Sequence, residues 1–286
     1  MSYKKNELFA ISDKKLNKIY IKLQHVINGF GMEDIHSFRV EIKKLKAFLH
    51  LLKTDLKHAS RLKFPKRLNK INKSLGRLRV FQLQQQNFNK TMNETGLSIP
   101  PSYLDTLSAK AAVYKLKTEE LQKNIKPVKK EMADIKRHSP HKLYHTTLEK
   151  FINLKMNAIQ NLLLPEVLEE KSLHLIRKHL KDIQYNIPFL KKDQAEKPDS
   201  RILTGKKIQS VAGILGDFHD IRVALSLLDE DLNELNMSED EKILLLKIRN
   251  KWETEKENIR QRAYQDCMIF KSVKTGTARY PGDDLV

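Results

Sequence analysis

The 286-residue chain is 40% hydrophobic, enough for a sizeable core in one large domain or two small ones. Its formal net charge of +19, from 54 Lys and Arg against 35 Asp and Glu, makes polyanions and anionic surfaces the expected partners. A lone cysteine, Cys267, excludes an intramolecular disulfide and a Cys-rich zinc site. No apolar run reaches the ~18–20 residues that cross a bilayer, and the opening Met1-Ser-Tyr-Lys-Lys lacks a signal-peptide stretch, so a cytoplasmic setting is expected.

Nine glycines and nine prolines among abundant Leu, Lys, Glu, Gln and Ala favour helix over sheet. Apolar periodicity marks eight helical segments. The first covers about Ser12 to Asn28 and stops at Gly29; the second covers Glu33 to Lys53, its Glu33 and Asp34 suited to the positive helix start. A third begins near Pro65. The fourth starts at Ser98-Ile-Pro-Pro and runs toward His138, bent at Pro127. Ser139-Pro140 opens a fifth, Pro165 with Glu166, Glu169 and Glu170 a sixth, and Asp199-Ser200 a seventh. Ser238 with Glu241 has capping-box spacing and opens the eighth, which reaches about Phe270; residues 271–286 read as an irregular tail. No stretch alternates convincingly at strand period.

The helices divide into two similar sets. Apolar residues Ile35, Phe38, Ile42, Leu45, Leu49 and Leu52 step 3, 4, 3, 4, 3, as do Leu173, Ile176, Leu180, Ile183, Ile187 and Leu190. His36-Ser-Phe-Arg39 recurs 138 residues later as His174-Leu-Ile-Arg177. Lys66-Arg67 followed by Leu75-Gly76 recurs 140 residues later as Lys206-Lys207 followed by Leu215-Gly216. These echoes predict an all-α fold of two four-helix units related by internal pseudo-two-fold symmetry, about 8–138 and 139–270, packed as one compact helical domain.

Charge is unevenly spread: Met1 to His138 holds 30 basic and 12 acidic residues, Ser139 to Val286 holds 24 and 23. On the second helix His36, Arg39, Lys43, Lys46, His50 and Lys53 form one row beside the apolar stripe, spanning roughly 26 Å at about 1.5 Å per residue. A second row, Lys63, Lys66, Lys70, Lys73 and Arg77, follows on the third helix. A solvated face mixes Glu with Lys at i,i+4 spacing; neither row contains an acid, and a bound anion would relieve the repulsion within them. Two such rows are expected to wall a groove for a linear polyanion.

His138, His141 and His145 share a helical turn, but no carboxylate or cysteine accompanies them to make a metal site. Asp217, His219 and Asp220 read as residues that orient one helix against its neighbours rather than as an acid–base cluster. Phosphate loops, nucleophile elbows and zinc-protease helices are absent.

Taken together, His36-x-x-Arg39-Val-x-x-Lys43-Lys44-Leu-Lys46, Leu75-Gly76-x-x-Arg79 and their echoes resemble the CHAD family, the conserved histidine α-helical domain, from about Leu8 to Phe270. That resemblance implies two four-helix repeats and non-enzymatic polyphosphate binding on a basic surface between them, without cofactor or metal. The implied contacts are His36, Arg39, Lys43, Lys44, Lys46, Lys53, Lys66, Arg67, Lys70, Lys73, Arg77, Arg79, His174, Arg177, Lys181, Lys206 and Lys207. Relatives often carry a triphosphatase-type domain as well; this chain resembles the stand-alone members associated with polyphosphate granules. It departs from the family where Asp182 and Gln184 replace basic residues and Val80 replaces the acid that Asp220 retains. Nucleic-acid binding, a polyphosphate phosphohydrolase and a plain helical scaffold are the alternatives.

Overall fold

A computed structural model of the chain describes residues 2–96, 101–123, 129–165, 168–189, 205–235 and 237–273. The expected helix start at Ser98-Ile-Pro-Pro, the bend at Pro127, Glu166, Leu190, the Asp199-Ser200 start and most of the tail lie outside the described residues.

The fold is all-α, as the periodicity requires. Among the described residues the helices are α1 (Lys5–Ile27), α2 (Met32–Lys53), α3 (Lys66–Thr95), α4 (Pro101–Lys123), α5 (Lys129–His138), α6 (His145–Leu162), α7 (Glu170–Asn186), α8 (Gly205–Glu234) and α9 (Glu239–Cys267). Capping chemistry sets several ends. Ser238 Oγ accepts from the Glu241 amide at 3.3 Å while Glu241 accepts from the Ser238 amide at 3.1 Å, so the expected capping box opens α9. Gly96, at φ 68°, closes α3 in the left-handed conformation that glycine adopts without strain.

Three boundaries differ from expectation. Helix α1 begins at Lys5 rather than Ser12, which brings Leu8 into the core. Helix α6 begins at His145 rather than beside Pro140, because Lys142–Tyr144 (β2) pairs antiparallel with Ser2–Lys4 (β1). This ribbon of three-residue strands corrects the strand-free reading; it is too short to show a period in sequence. Helix α7 begins at Glu170, five residues beyond Pro165.

Neighbouring helices pack in chain order, α1 on α2, α2 on α3 and α3 on α4, then α6 on α7, α7 on α8 and α8 on α9, with α2 against α7 and α3 against α8 across the middle. Two apolar clusters fill the interior. The larger joins α1, α2, α6 and α7 to the first parts of α3 and α8. The smaller, around Phe88, Tyr103, Leu228 and Trp252, joins α4 and α9 to the remainder of α3 and α8. Each cluster therefore draws on both halves of the chain. Lone Cys267 is fully buried among these side chains, which pushes its thiol up to about 12 and keeps it protonated.

Buried polar groups pin the layers together. Asn186 Nδ2 donates to the Ala47 carbonyl at 3.0 Å, tying α7 to α2. In the smaller cluster Tyr103 Oη donates to the fully buried Asp231 carboxylate at 2.8 Å, Lys110 completes the pair, and Trp252 Nε1 donates to Thr91 Oγ1 at 2.8 Å. Removing one donor leaves a buried carboxylate short of a partner. Tyr103→Phe is expected to lower stability by about 1–3 kcal/mol, seen as a lower urea midpoint with an unchanged slope.

Candidate functional site

On α2 the stripe Ile35, Phe38, Ile42, Leu45, Leu49 and Leu52 is buried throughout. Its burial fixes the neighbouring row, because a residue one position later lies about 100° further round the helix. From His36 to His50 that row turns into a cavity of about 660 Å³ bounded by α2, α3, α7 and α8. The same rule holds on the other walls. Positions following buried Ile71, Leu75 and Leu78 place Asn72, Gly76 and Arg79 in the cavity; positions following Leu173, Ile176 and Leu180 place His174, Arg177 and Lys181 there; the position after Phe218 places His219 there.

Eight of the sequence-selected residues therefore meet in one place: His36, Arg39, Lys43, Lys46, Arg79, His174, Arg177 and Lys181. Lys178, His50, His219, Tyr185 and Gln84 join them, as do two acids, Asp182 and Asp220. The remaining selected residues are not among the lining set. Lys44 turns the other way and bonds Glu41 at 2.8 Å, a carboxylate that also receives Lys18 at 3.2 Å. Lys66, Arg67, Lys70, Lys73 and Arg77 run along an exposed flank of α3, Lys206 and Lys207 are exposed at the start of α8, and Lys53 is half-buried at the end of α2. Of the Asp217, His219 and Asp220 group, His219 and Asp220 line the cavity and Asp217 does not. Of the histidine group, His138 Nδ1 lies 2.9 Å from the Asp134 carbonyl and His145 lies 3.5 Å from Glu149. Among the described residues no three His, Cys, Asp or Glu side chains are grouped to hold a metal.

The glycines of the Leu-Gly elements have a direct spatial use. A Cβ on Gly76 would sit 2.5 Å from Arg39 Nη1, and one on Gly216 would sit 3.3 Å from Arg177 Nη2. Each bare glycine thus lets an arginine from the preceding long helix lie flat against its neighbour. Arg39 Nη1 is held there by the Asn72 carbonyl at 2.7 Å. Arg79 Nη1 donates to the Met32 carbonyl at 3.0 Å, closing the α2–α3 corner. Lys46 donates to Asn69 Oδ1 at 2.8 Å and lies over the Phe64 ring, 4.9 Å from its centre.

Electrostatically the cavity is overloaded with positive charge. Lys43 is crowded by the walls and by Arg177, Arg39 and Lys181; desolvation first and these like charges second push it down to about 8. Burial, followed by repulsion from neighbouring cations, also lowers Arg39, Lys46 and Lys181. The acids offset little of this. Asp182 is engaged by His50 at 3.1 Å and Lys155 at 2.9 Å, bonds that outweigh desolvation and keep it ionised. Desolvation raises Asp220 despite Arg177 and Lys43 beside it. First-half helices supply Arg39, Lys43, Lys46 and Arg79, and α7 supplies Arg177, Lys178 and Lys181, so the cavity is far more evenly shared than the whole-chain charge.

The CHAD domain family model matches residues 10–229. The chain belongs to the CHAD domain family. Two solved structures share the fold: PptA from Streptomyces chartreusis, at TM-score 0.65 and 12% identity over 93% of this chain and 99% of that one, and the CHAD domain from the plant Ricinus communis, at TM-score 0.69 and 14% identity over 95% and 92%. Comparison with curated proteins finds no match. Among the described residues no helix of this CHAD protein is long and apolar enough to cross a membrane.

The Gly76–Arg39 contact gives a clean separation of binding from folding. Alanine is a better helix former than glycine by about 1 kcal/mol, so Gly76→Ala is expected to leave thermal stability within a few degrees of the parent. Its methyl group displaces the Arg39 guanidinium, and loss of one charge-assisted bond predicts roughly tenfold weaker polyanion binding, read by titration calorimetry.

Proposed function

We propose that this CHAD protein binds inorganic polyphosphate, without turning it over, by drawing a stretch of the chain into the α2–α3–α7–α8 cavity. The observation that carries this reading is the convergence of seven Lys and Arg side chains on one cavity whose lining includes two acids, one of them already paired. Confining these cations costs solvation and mutual repulsion, as the lowered Lys43, Lys46 and Lys181 record. A linear anion with one charge per unit relieves both at once. Its oxygens accept from Lys ammonium groups as point charges and from the Arg39 and Arg177 guanidinium forks.

The exposed Lys66, Lys70, Lys73, Arg77, Lys206 and Lys207 then act at longer range, raising the local concentration of the chain and guiding it to the cavity. On this reading residues 8–138 and 139–270 are two repeats whose second and third helices each contribute one wall, and the protein works at polyphosphate granules in the cytoplasm. Nucleic acid suits the cavity less well. Tyr185 is the sole Phe, Tyr or Trp among its lining residues, so base stacking has little to build on.

Competition of long-chain polyphosphate, duplex DNA and RNA for the protein at matched ionic strength should rank polyphosphate first, with no phosphate released. Preference for either nucleic acid contradicts the reading, and steady phosphate release replaces it with hydrolysis. Reversing Lys43, Lys46 and Lys181 to Glu should abolish binding, while reversing Lys66, Lys70 and Lys206 should slow association and flatten its salt dependence with a smaller loss of affinity.

Lys43 adds a pH signature. Its value of about 8 lies below that of the unfolded chain, so the empty folded protein gives up this proton first as pH rises. Bound phosphate favours the charged form and calls the proton back. Affinity should therefore fall as pH rises through about 8, with proton uptake on binding detectable as a buffer-dependent heat. Lys43→Gln should remove that dependence along with part of the affinity.

A further inference from the structure

The two glycine-bearing helices are not equivalent at the position three residues after the glycine. Arg79 stands there on α3 and His219 on α8, 140 residues on. Arginine is charged at every accessible pH; histidine is charged only when it takes a proton.

Around His219 the cavity wall holds buried polar atoms without partners. His219 Nδ1 and Arg177 Nε are both buried and have no hydrogen-bond partner. The His174 ring lies 5.1 Å from the His219 ring, centre to centre. Buried polar atoms are nearly always satisfied, so two orphans on adjacent helices lining one cavity point to a ligand atom that both would engage. The groups that act on His219 are all basic, His174 and Arg177 from α7, Arg222 from α8 itself and Lys43 from α2; the neighbouring carboxyls on its own helix are Asp220, which Arg79 from α3 also reaches, and Asp217. A phosphoryl group fits this wall, its oxygens accepting from Arg177 Nε and from a protonated His219.

We propose that Arg177, His174 and His219 form a phosphoryl subsite on the α7–α8 wall, and that a proton taken up by His219 completes it. The inference rests on the polyphosphate reading and localises one of its contacts. In the empty cavity desolvation, then His174 and Arg177, hold His219 down at about 4, so it is neutral near pH 7. An opposite charge within hydrogen-bond reach raises such a group by ~1–3 units, into the range of pH 5 to 7. The α3 wall therefore grips at any pH, whereas the α8 wall grips more firmly as pH falls.

The test is the affinity for long-chain polyphosphate between pH 5 and 7.5 at fixed ionic strength, measured with the full chain. Long chains are needed because their internal phosphates stay ionised throughout, leaving the protein as the titrating partner. The parent should tighten as pH falls, approaching the tenfold per unit that uptake of one proton allows. His219→Arg should bind tightly with a flat profile across that window, His219→Gln should bind weakly with a flat profile, and Asp220→Asn should keep the slope. Circular dichroism confirms that each variant is folded.

A parent profile flat from pH 5 to 7.5, or a slope that survives in both His219 variants, overturns the subsite and leaves polyphosphate binding intact. A slope lost only in Asp220→Asn assigns the proton to the carboxyl and also overturns it. Absence of polyphosphate binding at every pH removes the subsite and the broader reading together.

Discussion

Packing of α2 against α7 governs the chemistry of this protein. Each helix carries an unbroken apolar stripe, and burying both stripes leaves no freedom in where the adjoining rows point. Lys43 is thereby forced among Arg39, Arg177 and Lys181, although those charges repel. Burial of side chains such as Phe38, Leu45, Ile176 and Leu180, each stabilising by ~1.5–3 kcal/mol, outweighs that repulsion. Buried Asn186, bonded across to Ala47, keeps the crossing in register. The cation-lined cavity is thus the electrostatic cost of a hydrophobic contact, one that a bound anion would lower.

Glycine completes the arrangement. A methyl group at Gly76 would displace the Arg39 guanidinium from the adjoining helix, while one at Gly216 would press on the Arg177 guanidinium and shift it only slightly. The two walls then diverge in detail. On α3 a corner is locked by Arg79 on the Met32 carbonyl; on α8 the corresponding place holds a histidine with an unsatisfied ring nitrogen. On the proposed reading the same scaffold supports a permanent grip on one side and a conditional one on the other.

Much of this was legible in the sequence. Stripes with 3, 4 spacing specified the helices, and the His-x-x-Arg and Leu-Gly echoes singled out the segments that build the cavity. On α2 the row read from sequence lines the cavity from His36 to His50, because most of the cations there follow the stripe residues, Lys44 being the exception. On α3 they do not: Lys70 and Arg77 precede the apolar Ile71 and Leu78, while Asn72, Gly76 and Arg79 follow Ile71, Leu75 and Leu78. Charge drew attention to the flank that lies outside the cavity. Applying to α3 and α8 the offset already evident on α2, one residue after the stripe, would have found Asn72 and His219. Lys44 shows the converse limit, because its partner Glu41, which also receives Lys18 from α1, lies on a helix face that only packing with α1 defines. The β1–β2 ribbon, three residues in each strand, carries no period to read.

An experimental structure of the protein with bound long-chain polyphosphate tests the central claim most directly. Phosphate density running between α2 and α7, with oxygens on Arg39, Lys43, Arg177 and Lys181, is the predicted result. Density confined to the outer flank of α3 at Lys66, Lys70 and Lys73, with the cavity holding only water, would contradict it.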